Sequence, residues 1–598
     1  MTHTDQHRFF IPVMGTGFTM ESPLRVARYG IHSVVSLGDD RLAERLRRAH
    51  AEEFGRPYLP ILESEEDFRA RRLTAFLDQM QDIVDEQMQK MLAQPLAEGS
   101  DLWRCFRLLP EGPVLEAFRR WRAESSSGRK ATLERRLRQS LRAGRIDVNI
   151  MTKVDRSVTH LGETLPVDGS DALAGLRGFA ASRVRGSVVF SAGMNPRLYS
   201  LLARLDAFQP GPDGTLGKEV ILKVSDYRSA EIQGRFLAKK GVWISEFRVE
   251  SGLNCGGHAF ASDGLLMGPI LEEFRSRRLE LHDSLRAAWM AAQAARGSAA
   301  PEPPAARLTA QGGLGTQEEA RLLTEAFGVD ATGWGSPFLL VEESTLVDAE
   351  HRRLLAEAGK DEIQLTHSSP LGLPFWTLTT SASERLRKKR IAEGRPGSPC
   401  PHAYLVYNTE FPGNPRCVSS AQYQALKLAQ INADSTLSAE EREALRFDVT
   451  EKSCICWELG GSALRKLAPE SAPEPMVCAG PNLAWFDHEM SLEELIDHIY
   501  GRIDILKGKA RPHVFVNELR LYIDYLKEEI RRTRLKLANH PPAYFETFRE
   551  NLLQGVAFYR RRIEGQMRHG REAFAQGMEA LVAELEAMTL PANQVTAS

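Results

Sequence analysis

The densest chemistry in the chain lies in eight consecutive residues, Ser251-Gly252-Leu253-Asn254-Cys255-Gly256-Gly257-His258. Histidine titrates closest to neutrality of all the side chains and can take or give a proton during turnover. Paired glycines let the backbone come close to a flat ligand. Glycine pairs are also ordinary turns, so this stretch needs support from the rest of the chain. Two lysines could supply charge. Lys153 lies just past a predicted strand, where it would neutralise a reduced cofactor or hold a substrate carboxylate; a surface lysine is the alternative. Lys223 lies within a predicted strand, either reaching the ligand from inside a barrel or forming a core ion pair.

A second concentration is sulfur. Cys400, Cys417, Cys454, Cys456 and Cys478, five of the seven cysteines, share one C-terminal stretch. In a reducing compartment clustered thiolates suggest metal more than disulfides. Cys400, Cys417, Cys454 and Cys456 are the predicted ligands, with Cys478 as the spare. The Cys-x-Cys spacing and the Pro-rich turns suit an iron–sulfur cluster better than zinc, whose ribbons use Cys-x-x-Cys. The alternative is a set of scattered buried thiols.

These residues need elements to position them, and the chain alternates strands with helices. Predicted strands are Phe9–Met14, Ser33–Leu37, Asp147–Met151, Ser187–Ser191, Glu219–Val224, Val242–Phe247, Arg307–Ala310 and Val329–Thr332. Short apolar runs joined through capped helices are the rhythm of parallel α/β folds. Ser225 and Asp226 are placed to cap a helix running to Lys240, and Gly241 to stop it. Eight such strands predict an α/β fold, a closed (β/α)8 TIM barrel, with the Gly256-Gly257-His258 loop at the carboxyl end of strand six. Chemistry sits at that end in such barrels. Glycine-rich turns follow strands seven (Gln311-Gly312-Gly313) and eight (Gly333-Trp334-Gly335-Ser336), the usual place for a phosphate site built from backbone N–H groups.

The predicted organisation is 1–40 as the first part of the barrel, 41–145 as a helical insertion after strand two, and 146–380 as the rest of the barrel. A Cys-containing metal domain, 381–487, and a helical region, 488–590, follow. Mixed charge at helical spacing marks the insertion, with Glu124–Lys130 read as a loop. The C-terminal helices would build a hairpin, a bundle or a homo-oligomer interface.

With 598 residues and 42% apolar content the chain can bury more than one core. A net charge of −2 gives no global field for nucleic acid. No apolar run reaches membrane-spanning length, and the N-terminus lacks the order of a secretory signal. A cytoplasmic protein acting on a small-molecule substrate is expected, without nucleic-acid or membrane partners.

Set against these elements, residues 9–40 and 146–345 resemble the nitronate monooxygenase (2-nitropropane dioxygenase-like) family of FMN-dependent barrels. The matching features are Ile11-Pro12-Val13, Ser22-Pro23, Val148-Asn149 and the loop from Ser251-Gly252 to Gly256-Gly257-His258. Gln311-Gly312-Gly313-Leu314, Gly328-Val329-Asp330 through Gly335-Ser336 to Phe338, and Glu343-Ser344 continue the match. The resemblance implies FMN, with Gly15, Asn149, Ser251, Gly256, Gly257, Gly312, Gly313, Gly333, Trp334, Gly335 and Ser336 around it. His258 and Lys153 are the implied catalytic groups. The chain departs from the family at Ser251 (glutamine there), at Asn254-Cys255 (Glu-Ala there) and at Gly333-Trp334 (Gln-Met there). The leading expectation is an FMN-dependent monooxygenase with His258 as base. The alternatives are an enoyl-reductase-like enzyme taking electrons from nicotinamide or a donor protein through an iron–sulfur relay, and a non-catalytic scaffold.

Overall fold

The computed structural model describes residues 5–150, 159–160, 163–164, 170–191, 193–211, 214–259, 263–298, 302–399, 403–469 and 472–591. Eight parallel strands close into a barrel: β1 (Phe9–Ile11), β2 (His32–Ser36), β3 (Ile146–Ile150), β4 (Ser187–Phe190), β5 (Glu219–Val224), β6 (Glu246–Glu250), β7 (Arg307–Gln311) and β8 (Ala331–Gly333). They follow chain order around the ring, and β8 closes on β1 through Phe9↔Thr332 and Phe10↔Gly333. This is the predicted (β/α)8 architecture.

The inside of the barrel combines an apolar cluster of Val34, Val189 and Ile221 with charge on β6, and that charge explains the largest shift in strand position. Glu246, Arg248 and Glu250 alternate along β6 with the buried Phe247 and Val249. Arg248 pairs with Glu246 at 2.6 Å, Thr309 Oγ1 donates to the same carboxylate at 2.5 Å, and the guanidinium lies 3.9 Å from the Phe10 ring centre. The predicted strand Val242–Phe247 follows the apolar run, but that run is a buried approach segment. The true strand starts four residues later because its inward positions carry charge. Elsewhere the caps behave as their residue types require. Asp226 accepts from Ser229 N at 2.7 Å, Thr316 and Glu319 form a capping box, and Asn195 accepts from Leu198 N at 3.0 Å.

The insertion is helical throughout, with Asp40–Glu53, Phe68–Ala93, Asp101–Leu108, Pro113–Ala123 and Ser127–Ser140. The predicted loop Glu124–Lys130 is shorter than expected, since a helix begins at Ser127. After the barrel comes an antiparallel hairpin that the sequence did not signal, β9 (Ile363–Thr366) and β10 (Phe375–Leu378).

Residues 381–590 do not stand apart from the barrel. One hydrophobic core runs from Phe9 to Leu585 across every expected boundary. The helices Val514–Arg534, Pro542–Arg562 and Arg571–Glu586 pack on one another, and Pro542–Arg562 packs on the barrel helix Met267–Ala295. Among the described residues no helix is long and apolar enough to cross a membrane.

One buried carboxyl fastens this bundle to the barrel. Glu518 takes hydrogen bonds from Ser251 Oγ at 2.6 Å and Met267 N at 3.0 Å, and Tyr559 OH lies 3.3 Å away. Burial pushes its carboxyl up to about 7. A carboxyl raised on folding stabilises the fold fully below its unfolded value near 4.5, and that contribution is lost as pH rises through 7. The protein should therefore lose about 3 kcal/mol of stability from this group between those pH values. Glu518→Gln should flatten that part of the profile in urea denaturation at stepped pH. An unchanged slope in the variant would mean that another group causes it.

Candidate functional site

A cavity of about 190 Å³ opens at the carboxyl ends of β1 to β6. Its floor comes from the barrel. Gly15 and Thr16 follow β1, Ser36 to Asp39 end and follow β2, Asn149 ends β3, and Lys223 and Glu250 sit on β5 and β6. Asn254, Gly256, Gly257 and His258 form one wall. The roof is supplied by residues far along the chain: Leu371, Leu373 and Phe375 of the hairpin, Tyr404, Leu405, Ile455, Cys456, Leu459 and Cys478.

Lys223 and Glu250 make an ion pair at 2.7 Å, each side chain 13% exposed. Gln311 Nε2 donates to the same Glu250. Asn149 is 6% exposed, and its Oδ1 has no hydrogen-bond partner among the described residues. Asp39 caps the first insertion helix through Leu42 N and accepts from Tyr404 OH at 2.9 Å, tying roof to floor.

His258 is held from three directions. Its Nε2 lies 2.7 Å from Ser369 Oγ, its ring meets Phe375 edge-on at 5.0 Å, and its carbonyl accepts from Asn254 Nδ2 at 2.6 Å. The hairpin also bonds directly to this loop, Trp376 N to Gly257 O and Ala259 N to Pro374 O. An imidazole beside a hydroxyl, on the wall of a largely apolar cavity, is suited to moving a proton with little bulk water present.

Gly15, Asn149, Gly256, Gly257 and His258 line one cavity. Ser251, Gly312, Gly313, Gly333, Trp334, Gly335 and Ser336 do not line it. Ser251 donates to Glu518. Gly333 faces the barrel interior, where a side chain would strike Phe10 and Gln311. Trp334 is 1% exposed, donates to Thr332 Oγ1 and packs against His498. Ser336 accepts from Gly480 N at 3.1 Å, and Gly312 and Gly313 lie against Leu253. These glycines make room for the chain itself, and sequence alone does not separate that use from making room for a ligand. Lys153 lies outside the described residues.

Among the described residues Cys417, Cys454 and Cys456 do not form a close group of ligand atoms, and the one group with metal-ligand spacing is Asp348, Glu350 and His351. Cys454 stands at the start of the short helix Ile455–Glu458 and is buried, whereas Cys456 lines the cavity. Two residues apart on a helical turn project to different sides, where a strand would align them. Cys400 lies outside the described residues. The Asp348 group is committed internally. Asp348 caps its helix, binds His351 Nδ1 at 2.9 Å and accepts from Ser462, while His351 Nε2 accepts from Ala382 N.

Glu250, Ser369 and most of the roof were not expected from sequence, and Cys456 and Cys478 were expected there only as metal ligands. Glu250 immediately precedes the Ser251 loop and was open to discovery once Lys223 was considered. Ser369 and the roof are distant in sequence and carry no local signal.

No family model matches the chain, and no curated protein matches it. Solved structures that align with it include FabK from Thermotoga maritima, at 12% identity over 86% of this chain and 96% of that one, with a TM-score of 0.37. Nitroalkane oxidase from Streptomyces ansochromogenes aligns at 13% identity over 83% and 96%, with a TM-score of 0.34. The enoyl reductase domain of MlnA from the macrolactin biosynthesis cluster of Bacillus amyloliquefaciens aligns at 10% identity over 92% and 96%, with a TM-score of 0.36.

Proposed function

We propose that the protein is a flavin-dependent oxidoreductase acting on a small, partly apolar substrate, with the flavin ring in the cavity at the barrel mouth and His258 as the proton-transfer group. The observation that carries this reading is Asn149 Oδ1, a buried acceptor on the cavity floor with no partner among the described residues. Such an atom costs about 1–3 kcal/mol unless something donates to it, and the imide N–H of a flavin ring is a donor of the right kind. Gly257 leaves the adjacent wall without a side chain, and a methyl built there would meet only Phe375, at 4.0 Å. The residues present therefore fit the ring end of FMN. They do not fit its phosphate end, where the expected cradle is filled.

A bound flavin would supply a two-electron acceptor or donor. The chain's own part is separate. Ser369 Oγ fixes the His258 ring through Nε2, so that the imidazole can hold the proton lost or gained at the substrate. Leu371, Leu373, Phe375 and Leu405 exclude water, and the Lys223–Glu250 pair sets the field below. In the nitronate monooxygenase-like version, His258 removes a proton next to a nitro or carbonyl group. The iron–sulfur relay draws no support from the positions of Cys417, Cys454 and Cys456.

The test is retention of flavin. Protein incubated with FMN or riboflavin should carry visible absorbance through gel filtration, and after dithionite reduction air should reoxidise it quickly if the monooxygenase direction is right. Slow reoxidation by air together with reduction by a nicotinamide would favour the reductase direction. Protein that stays colourless with both flavins contradicts the proposal.

A further inference from the structure

The turn after β8 has the form of an anion site, but its donors face sulfur. The backbone N–H groups of Gly335 and Ser336 are directed at Cys255 Sγ. A methyl built on Gly335 would lie 2.6 Å from that sulfur. Ser336 Oγ donates to the Cys255 carbonyl at 3.2 Å and accepts from Gly480 N at 3.1 Å, which locks the plug to the roof segment. Across the neighbouring turn, Gly312 and Gly313 abut Leu253, two residues before the plug. The guanidinium of Arg511 donates to Gly313 O at 2.6 Å and is neutralised by Glu319 at 2.7 Å, both side chains almost wholly buried.

We propose that this chain closes its own phosphate cradle with Cys255, so that the cavity recognises the ring of a flavin and not its phosphate: riboflavin and FMN bind alike. This rests on the flavin reading given above. A thiol is a weak acceptor, so the two N–H groups hold a neutral group where a phosphate dianion would take strong charge-assisted bonds. Burial pushes the Cys255 thiol up to about 12, which keeps it uncharged at ordinary pH. The nearby carboxylate of Glu250 disfavours a second anion there, and Lys223, the cation that would offset it, is already paired to Glu250. While the Cys255 thiol is in place, admitting phosphate requires moving Leu253 to Gly256 as a unit, against contacts from the turns after both β7 and β8 and from the roof; removing the thiol frees the two N–H groups without that movement.

The experiment is equilibrium titration of the full-length protein and of Cys255→Ala with riboflavin, FMN and inorganic phosphate, with Cys255→Ser as a control that keeps the plug. In the wild type and in Cys255→Ser the two flavins should have dissociation constants within about threefold, and phosphate should not compete. In Cys255→Ala, FMN should gain about tenfold over riboflavin, as one additional net hydrogen bond to a charged group would give. The proposal is overturned if the wild type binds FMN tenfold or more tightly than riboflavin, if phosphate competes in the wild type, or if the alanine variant shows no gain. If Cys255→Ala fails to fold, the wild-type and serine ratios decide. If neither flavin binds the wild type, the flavin reading alone fails. The closed cradle is then supported by phosphate binding that appears only in Cys255→Ala, and overturned if phosphate binds neither protein or binds both.

Discussion

Replacing Lys223 by methionine should destabilise the protein by about 3–5 kcal/mol, the cost of leaving one member of a buried ion pair without its partner. The argument is local. Lys223 and Glu250 are each about seven-eighths buried, 2.7 Å apart, on adjacent strands of the barrel. Without the ammonium, Glu250 keeps only the Gln311 amide among the neighbours described here, and its charge stays under an apolar roof. Lys223→Met combined with Glu250→Gln should cost clearly less than the two single changes added together, because the double variant leaves no unpaired charge. Urea denaturation of the four proteins in a double-mutant cycle measures the coupling. Additive costs would mean that solvent already reaches the pair and that the floor of the cavity is wet.

The second large effect concerns the contact between loop and roof. Gly256 sits at φ +125°, a conformation that side chains avoid, and a methyl built there would land on the Cys478 carbonyl oxygen. Gly256→Ala should cost about 3 kcal/mol through strain and displacement together, and it should weaken flavin binding because Cys478 and Gly480 move with the roof. Gly328→Ala is the control. That glycine ends a helix at φ +69° with nothing within 4 Å of the built methyl, so the cost should be conformational only, about 1 kcal/mol. Denaturation midpoints and flavin titrations on both variants check this. Equal costs at the two positions would remove the argument that the roof is seated on Gly256.

The barrel was legible because its signals are local. Strand-length apolar runs, a cap such as Asp226 and a stop such as Gly241 each declare themselves within a few residues. Where a strand turned its charged face inward, as β6 does with Glu246, Arg248 and Glu250, the apolar pattern pointed four residues too early. The His258 wall was legible for the same local reason, since two glycines and a histidine at the end of a parallel strand can be read without knowing their neighbours. The turns after β7 and β8 are hard to read from sequence because glycine records close approach without naming what approaches. At Gly333 it is Phe10, at Gly313 it is Leu253, and at Gly335 it is Cys255. The roof was illegible because Ser369, Tyr404, Cys456 and Cys478 meet the barrel through long-range packing that leaves no periodic trace. A short helix between Cys454 and Gly460 turns neighbouring sulfurs to different surroundings, so closeness along the chain did not become a shared centre among the described thiols.

The central claim is that a flavin ring lies between Gly15, Asn149 and Gly256, under the hairpin that carries Ser369 and Phe375. A crystal structure of the protein with riboflavin tests this most directly. The account predicts ring density over Lys223 and Glu250, a hydrogen bond to the Asn149 side chain, and Cys255 still against Gly335. Ring density anywhere else, or a riboflavin-saturated crystal in which this cavity holds only water, would contradict it.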